Sequence, residues 1–153
     1  MIGKESPDRL ATRYERAEDS VGLLLWQVTN RWQAAQRAAL KPLGLTHVQF
    51  VLLASLTWLD VDGPVTQAVL AQHAATDPMM TSQVLRALES QGLIARSPHP
   101  TDRRARALNV TAQGRALANR AVAVVEACDD TFFAPLGRRL PGLSSALALL
   151  AAG

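Results

Sequence analysis

Residues 66–92, TQAVLAQHAATDPMMTSQVLRALESQG, decide the fold of this 153-residue chain. Thr66 is placed to cap a helix over QAVLAQHAA, since a hydroxyl there accepts a free N–H of the first turn. Asp77-Pro78 then restarts a helix, with a capping acid followed by proline at the first helical position, where its missing N–H costs nothing. This helix runs to Gln91, and Gly92 suits the left-handed residue that ends it. Thr81, Val84, Leu85 and Leu88 recur at i, i+3, i+4 and i+7, so they form the face turned to the core. The opposite face carries Met79, Ser82, Gln83 and Arg86. Two helices joined by three or four residues have the spacing of a helix-turn-helix. The outward residues suit base edges: glutamine pairs with adenine, arginine with guanine, serine with either, and methionine packs on a thymine methyl. Any amphipathic helix has a polar side, so this helix alone proves little. Its neighbour changes the reading.

That neighbour is residues 95–111, ARSPHPTDRRARALNVT. The apolar runs Leu93-Ile94-Ala95 and Ala107-Leu108, then Val110, flank a turn containing Pro and Asp, which predicts two short strands. Residues 96–106 hold Arg96, Arg103, Arg104 and Arg106 against Asp102, so this one turn region carries the whole chain's net charge of +3. A local basic cluster on a near-neutral body is the electrostatic footprint of a polyanion partner. A solvated turn that merely discourages strand pairing needs less charge. A helix-turn-helix followed by a basic hairpin is a winged helix. Asp102 is read as pairing with Arg104 to hold the turn, while the other arginines reach a phosphate or a minor groove.

The rest of the chain is helical in character: 48% of residues are hydrophobic but only 5% aromatic. The expected fold class is mainly α with a small β-hairpin wing. Leu25, Val28, Trp32, Ala35 and Ala39 form one stripe on a helix from Ser20 to about Ala39, punctuated by Pro42 and Gly44. Thr46 caps HVQFVLLASLTWL, which is apolar nearly all round and therefore central, and DVDGP at 60–64 is a turn. Thr111 caps a long helix with Leu117, Ala121, Val124, Cys128 and Phe132 on one face. After Pro135, Gly137 and Pro141-Gly142 comes LSSALALLAA, apolar on almost every side and expected to bury itself against another chain. The amino-terminal stretch MIGKESPDRLATRYERAEDS has no apolar leader, and no run reaches the length of a membrane span. A single cysteine excludes an internal disulfide, so a cytoplasmic protein is expected.

Three segments in order, LKPLGLTHVQFVLLASL, VLRALESQGLIAR and DRRARALNVTAQG, resemble the multiple-antibiotic-resistance regulator (MarR) family of bacterial transcription factors over nearly the whole chain. The resemblance implies a homodimer: one unit over 1–153, with interlocking dimerisation helices at 20–41 and 111–153 and a winged helix-turn-helix lobe at 45–110. It implies that Asp102 and Arg104 are the wing pair, and that Ser82 and Gln83 face the groove. Gln83 stands where many relatives have arginine, and Met79-Met80 where small hydroxyl residues are common, so the resemblance does not fix the preferred base sequence. The DNA-binding set is therefore Met79, Ser82, Gln83, Arg86, Asp102, Arg103, Arg104 and Arg106.

Relatives respond to small aromatic or phenolic effectors held between dimerisation helices and DNA-binding lobe, or to oxidants. Trp32 is read as packing. Trp26 has Asn30, Gln33 and Arg37 as helical neighbours, a polar face, and so lines either a pocket or the dimer interface. His47, at the start of the second helix, is the other effector candidate. Cys128 shares an apolar stripe and is followed by Asp129 and Asp130, the setting of an unreactive thiol, and the family's peroxide sensors carry theirs near the amino terminus. His47, His73 and His99 lack ligand spacing, so neither a metal nor a cofactor is expected. No nucleophile elbow or phosphate-binding glycine loop is present, so the chain is not read as an enzyme. The function read is a ligand-responsive repressor that binds a pseudo-palindromic operator in double-stranded DNA as a dimer. The alternatives are a winged-helix protein-interaction module and a small-ligand-binding dimer without specific DNA binding.

Overall fold

The computed structural model describes residues 8–153. The reading of the amino-terminal stretch therefore lies, for residues 1–7, outside the described residues. Ser20 Oγ accepts the Leu23 N–H at 3.2 Å and starts α1 (Val21–Leu40). Thr46 and Gln49 cap one another, each backbone N–H donating to the other's side chain at 3.0 and 3.2 Å, and begin α2 (His47–Leu59). Thr66 starts α3 (Gln67–Ala74) and Asp77 starts α4 (Pro78–Ser90), as their side chains led one to expect. The hairpin follows as β1 (Ile94–Pro98) and β2 (Arg106–Val110), antiparallel, with Ile94 opposite Val110 and Pro98 opposite Arg106. Then come α5 (Ala112–Phe133), a short 3₁₀ stretch Ala134–Arg139 and α6 (Leu140–Ala151). Among the described residues no single helix is long and apolar enough to cross a membrane.

One core joins the helix-turn-helix to its supports. Leu52, Leu53 and Leu56 of α2, Leu70 of α3, Leu85 and Leu88 of α4 and Leu108 of β2 are all fully buried together. Truncating such a leucine to alanine typically costs about 2–5 kcal/mol. The helix α2 is central, but not on all sides: Trp58, near its end, is 79% exposed.

Two stripes differ from the sequence reading. On α1, Leu25 and Val28 are exposed, Trp32, Ala35 and Ala39 are half-buried, and the deepest residues are Gln36 and Leu40, one position round the helix. On α5 the buried line is Gly114, Ala118, Ala121 and Val125; only Ala121 belongs to the expected stripe, whose Leu117, Val124, Cys128 and Phe132 are half-buried beside it. Small residues explain the shift on α5, since a line of Gly and Ala lets helix axes approach closely and pushes larger neighbours to the margins. The extreme case is Gly114, where a Cβ would collide with the backbone carbonyl of Leu93. The wing base and the start of α5 are thus locked together, and Thr111 completes the joint. Its hydroxyl lies 2.7 Å from the Gly92 carbonyl and 3.1 Å from that of Leu93, and also accepts the Gly114 N–H at 3.0 Å.

At the molecule's other end, apolar surface is left bare. Val21, Leu24, Leu25 and Trp26 on α1 are exposed, as are Leu147, Leu149 and Leu150 on α6, which has no buried residue.

Candidate nucleic-acid interface

The turn between α3 and α4 is built by backbone and hydroxyl bonds. Ala75 takes the left-handed conformation (φ 52°), with its N–H donating to Gln72 O at 3.3 Å while the Thr76 N–H reaches Ala71 O at 3.0 Å. Thr81 is fully buried; its hydroxyl donates to Asp77 O at 2.7 Å, and the Thr76 hydroxyl lies 2.7 Å from it. Asp77 Oδ2 accepts the Met80 N–H at 2.9 Å, a charge-assisted cap at the positive end of α4. The buried face of α4 is the expected one, with Thr81, Leu85 and Leu88 at 0% exposure and Val84 half-buried.

On the outer face Met79 is 72% exposed, and Gln83 and Arg86 are exposed, with Ser82 half-buried. Arg86 Nη2 donates to Ser82 Oγ at 3.0 Å, so these two expected base-facing residues hold one another along the helix. Gln83 makes no hydrogen bond with its side chain among the described residues. At the far end Gly92 (φ 74°) ends the helix as a left-handed cap, with Leu93 N–H returning to Leu88 O at 3.0 Å.

The wing tip is held differently from the expected acid–arginine pair. Asp102 Oδ1 accepts the backbone N–H of Arg104 at 2.9 Å rather than its guanidinium, and Asp102 O accepts the Ala105 N–H at 3.3 Å. The short aspartate side chain reaches a main-chain N–H two residues on more readily than a long flexible cation. His99 Nδ1 accepts the N–H groups of Thr101 and Asp102 at 3.2 and 3.0 Å, closing the loop from the other side. The side chains of Arg103, Arg104 and Arg106 therefore form no ion pair among the described residues, and all three are exposed. Arg96 does not belong with them: its Nε lies 2.9 Å from Glu89 Oε2 on α4. No local pattern marks this pair, because only the hairpin's placement brings residues seven apart face to face.

The effector candidates are not brought together. Trp26 is 69% exposed on the bare part of α1. His47 instead meets Trp32 edge to face, with ring centroids 4.9 Å apart. Trp32 packs, as expected, but also donates from Nε1 to Asp129 Oδ1 at 2.8 Å, and Gln36 Nε2 donates to the same oxygen at 2.6 Å. Gln36 is fully buried, and its Oε1 has no partner among the described residues. A cluster of α1, α2 and α5 residues thus contains an unsatisfied acceptor, which the sequence hinted at only through a glutamine beside an apolar stripe. Burial first, then Arg37, holds the His47 imidazole below its ordinary pKa, with Asp129 opposing. Burial and Asp129 push the Cys128 thiol up, which keeps it protonated and poorly nucleophilic.

Comparison with known proteins gives this geometry its kin. Residues 45–105 match the MarR family profile. The uncharacterized HTH-type transcriptional regulator YdcH of Bacillus subtilis (strain 168) is 40% identical over 140 residues, covering 91% of this chain and 95% of YdcH. The HTH-type transcriptional repressor Rv2887 of Mycobacterium tuberculosis is 41% identical over 122 residues, covering 78% and 85%. Its crystal structure with salicylic acid superposes with a TM-score of 0.66 at 37% identity, covering 86% of this chain and 96% of that one. The repressor CouR of Rhodococcus jostii RHA1, solved on a 23-mer DNA duplex, superposes with a TM-score of 0.78 at 30% identity, covering 88% and 94%. With its fold matched to this depth and a relative aligned across nearly its full length, the chain belongs to the MarR family of HTH-type transcriptional regulators.

Proposed function

We propose that the chain is a ligand-responsive repressor, acting in the bacterial cytoplasm as a homodimer on a pseudo-palindromic operator. The observation that carries it is the bare outer face of α4, followed at once by a hairpin tip with three arginines free of ion pairs among the described residues. In this reading Met79, Ser82, Gln83 and Arg86 lie along a major groove. Arg103, Arg104 and Arg106 reach the flanking backbone or minor groove, and Asp102 shapes the turn that aims them. The bare stretch of α1 and all of α6 supply the surface for the second subunit, within dimerisation helices at 20–41 and 111–153. Relatives solved with duplex DNA and with salicylic acid support both halves of the reading.

The effector is a small aromatic or phenolic molecule, bound where α1, α2 and α5 meet. His47 offers a polar edge there, and Gln36 Oε1 is a buried acceptor ready for a hydroxyl donor. The role is one of binding; the effector acts by preferring one of two dimer shapes.

The test is selection of bound duplexes from a random pool, followed by fluorescence anisotropy at several salt concentrations. A two-fold-related sequence, bound with a steep negative salt slope, is expected. Salicylate added to the complex is expected to release the DNA. Recovery of no common sequence, with binding indifferent to salt, overturns the reading.

A further inference from the structure

Arg96 and Glu89 hold an arrangement that DNA contact alone does not explain. Glu89 sits in the last turn of α4, where a carboxylate faces the negative end of the helix dipole. It also places a negative charge on the element meant to approach phosphates, a second unfavourable effect. Arg96, with a side chain only 20% exposed, meets it at 2.9 Å. Side chains two apart on a strand share a face. Arg96 therefore lies on the same side of the wing as Ile94, which is 2% exposed, the side packed on the helices rather than the open one. Its cross-strand neighbour is the fully buried Leu108.

The outer hairpin has few polar ties to the body. Midway along it, level with Arg96, the Leu108 N–H donates to Val65 O at 2.8 Å. Asn109 Nδ2 reaches Ser97 Oγ at 2.8 Å and, toward the tip, the His99 N–H reaches Ala105 O at 3.3 Å, both within the hairpin. Among the described residues, the Glu89–Arg96 pair is thus the outermost polar tie between wing and recognition helix.

We infer that this pair is a strut that sets the angle of the wing against α4, and that Arg96 is a positioning residue for DNA rather than a phosphate contact. The inference rests on the DNA-binding reading above. Its test turns on a sign. Glu89→Gln removes a negative charge from the DNA-facing side, so electrostatics alone demands tighter binding. The strut demands weaker binding, about fivefold with two pairs per dimer.

Anisotropy on the selected duplex is measured for the wild type, Glu89→Gln, Arg96→Gln, the swap Glu89→Arg/Arg96→Glu, and Arg104→Ala, with thermal melting of each by circular dichroism. Both single variants of the pair are expected to lose affinity with the salt slope unchanged. The swap is expected to recover most of that loss. Arg104→Ala is expected to lower the slope by about 0.9 for each phosphate that the guanidinium neutralised. Glu89→Gln binding as tightly as the wild type, or more so, overturns the strut while leaving DNA binding intact, and it decides the matter even if the swap does not fold. A folded swap that recovers nothing overturns it as well. A wild-type chain indifferent to duplex DNA overturns the DNA reading and the strut together.

Discussion

Gly114 shows how much a single absent methyl group decides. A Cβ there would strike the Leu93 carbonyl, which belongs to a backbone already committed to the Thr111 joint and cannot move aside cheaply. Gly114→Ala is therefore expected to lower stability by about 1–3 kcal/mol, read as a lower urea midpoint. A helix interior ordinarily gains about 0.5–1 kcal/mol from the same change, so an unchanged midpoint would deny the close approach. His47 makes a second prediction at this scale. Its folded pKa lies below the ordinary 6.5, so the unfolded chain takes the proton first. The stability this group contributes is whole above about pH 6.5 and declines as pH falls below it, toward the lowered folded value. Urea midpoints between pH 7.5 and 5.5 should show that decline in the wild type, and His47→Gln should flatten it. At this scale the sequence was legible wherever chemistry is local. Thr46, Thr66, Asp77 and Thr111 all cap the helices their side chains promised, because a cap and the N–H it accepts lie within three residues. Asp102 was legible as a turn-former, but not its partner, since backbone and guanidinium of Arg104 are equally near in sequence.

Elements were legible in number and place, less so in the face each presents. On α5, periodicity favoured the larger side chains Leu117 and Val124, yet closeness of approach gave the buried line to Gly114, Ala118, Ala121 and Val125. On α1 the stripe extends beyond what its own subunit covers, so its first two members, Leu25 and Val28, face outward. The bare part of α1 and the whole of α6 are one prediction: each needs a second chain. Leu147→Glu with Leu150→Glu should convert the dimer to monomer in light scattering at micromolar concentration. The winged lobe should stay folded, because no α6 residue joins its core. Retention of the dimer would place the interface elsewhere.

For the whole molecule, a two-fold axis matters more than any one contact. A dimer with one α4 per subunit meets half-sites about 10 bp apart, on one side of the duplex. Inserting 5 bp between the selected half-sites turns one of them to the far side, and anisotropy should then report only the weak affinity of a single lobe. The lever behind this demand is α5. Its 22 residues run from the joint at Thr111 toward the bare end of the molecule, a span of about 33 Å at about 1.5 Å per residue. Pivoting such a rod by about 6° carries its tip through about 3.4 Å, the rise of one base pair. A guest molecule wedged against its inner side therefore need not unseat a single contact to silence the protein; it has only to put the two reading heads one step out of phase with the double helix.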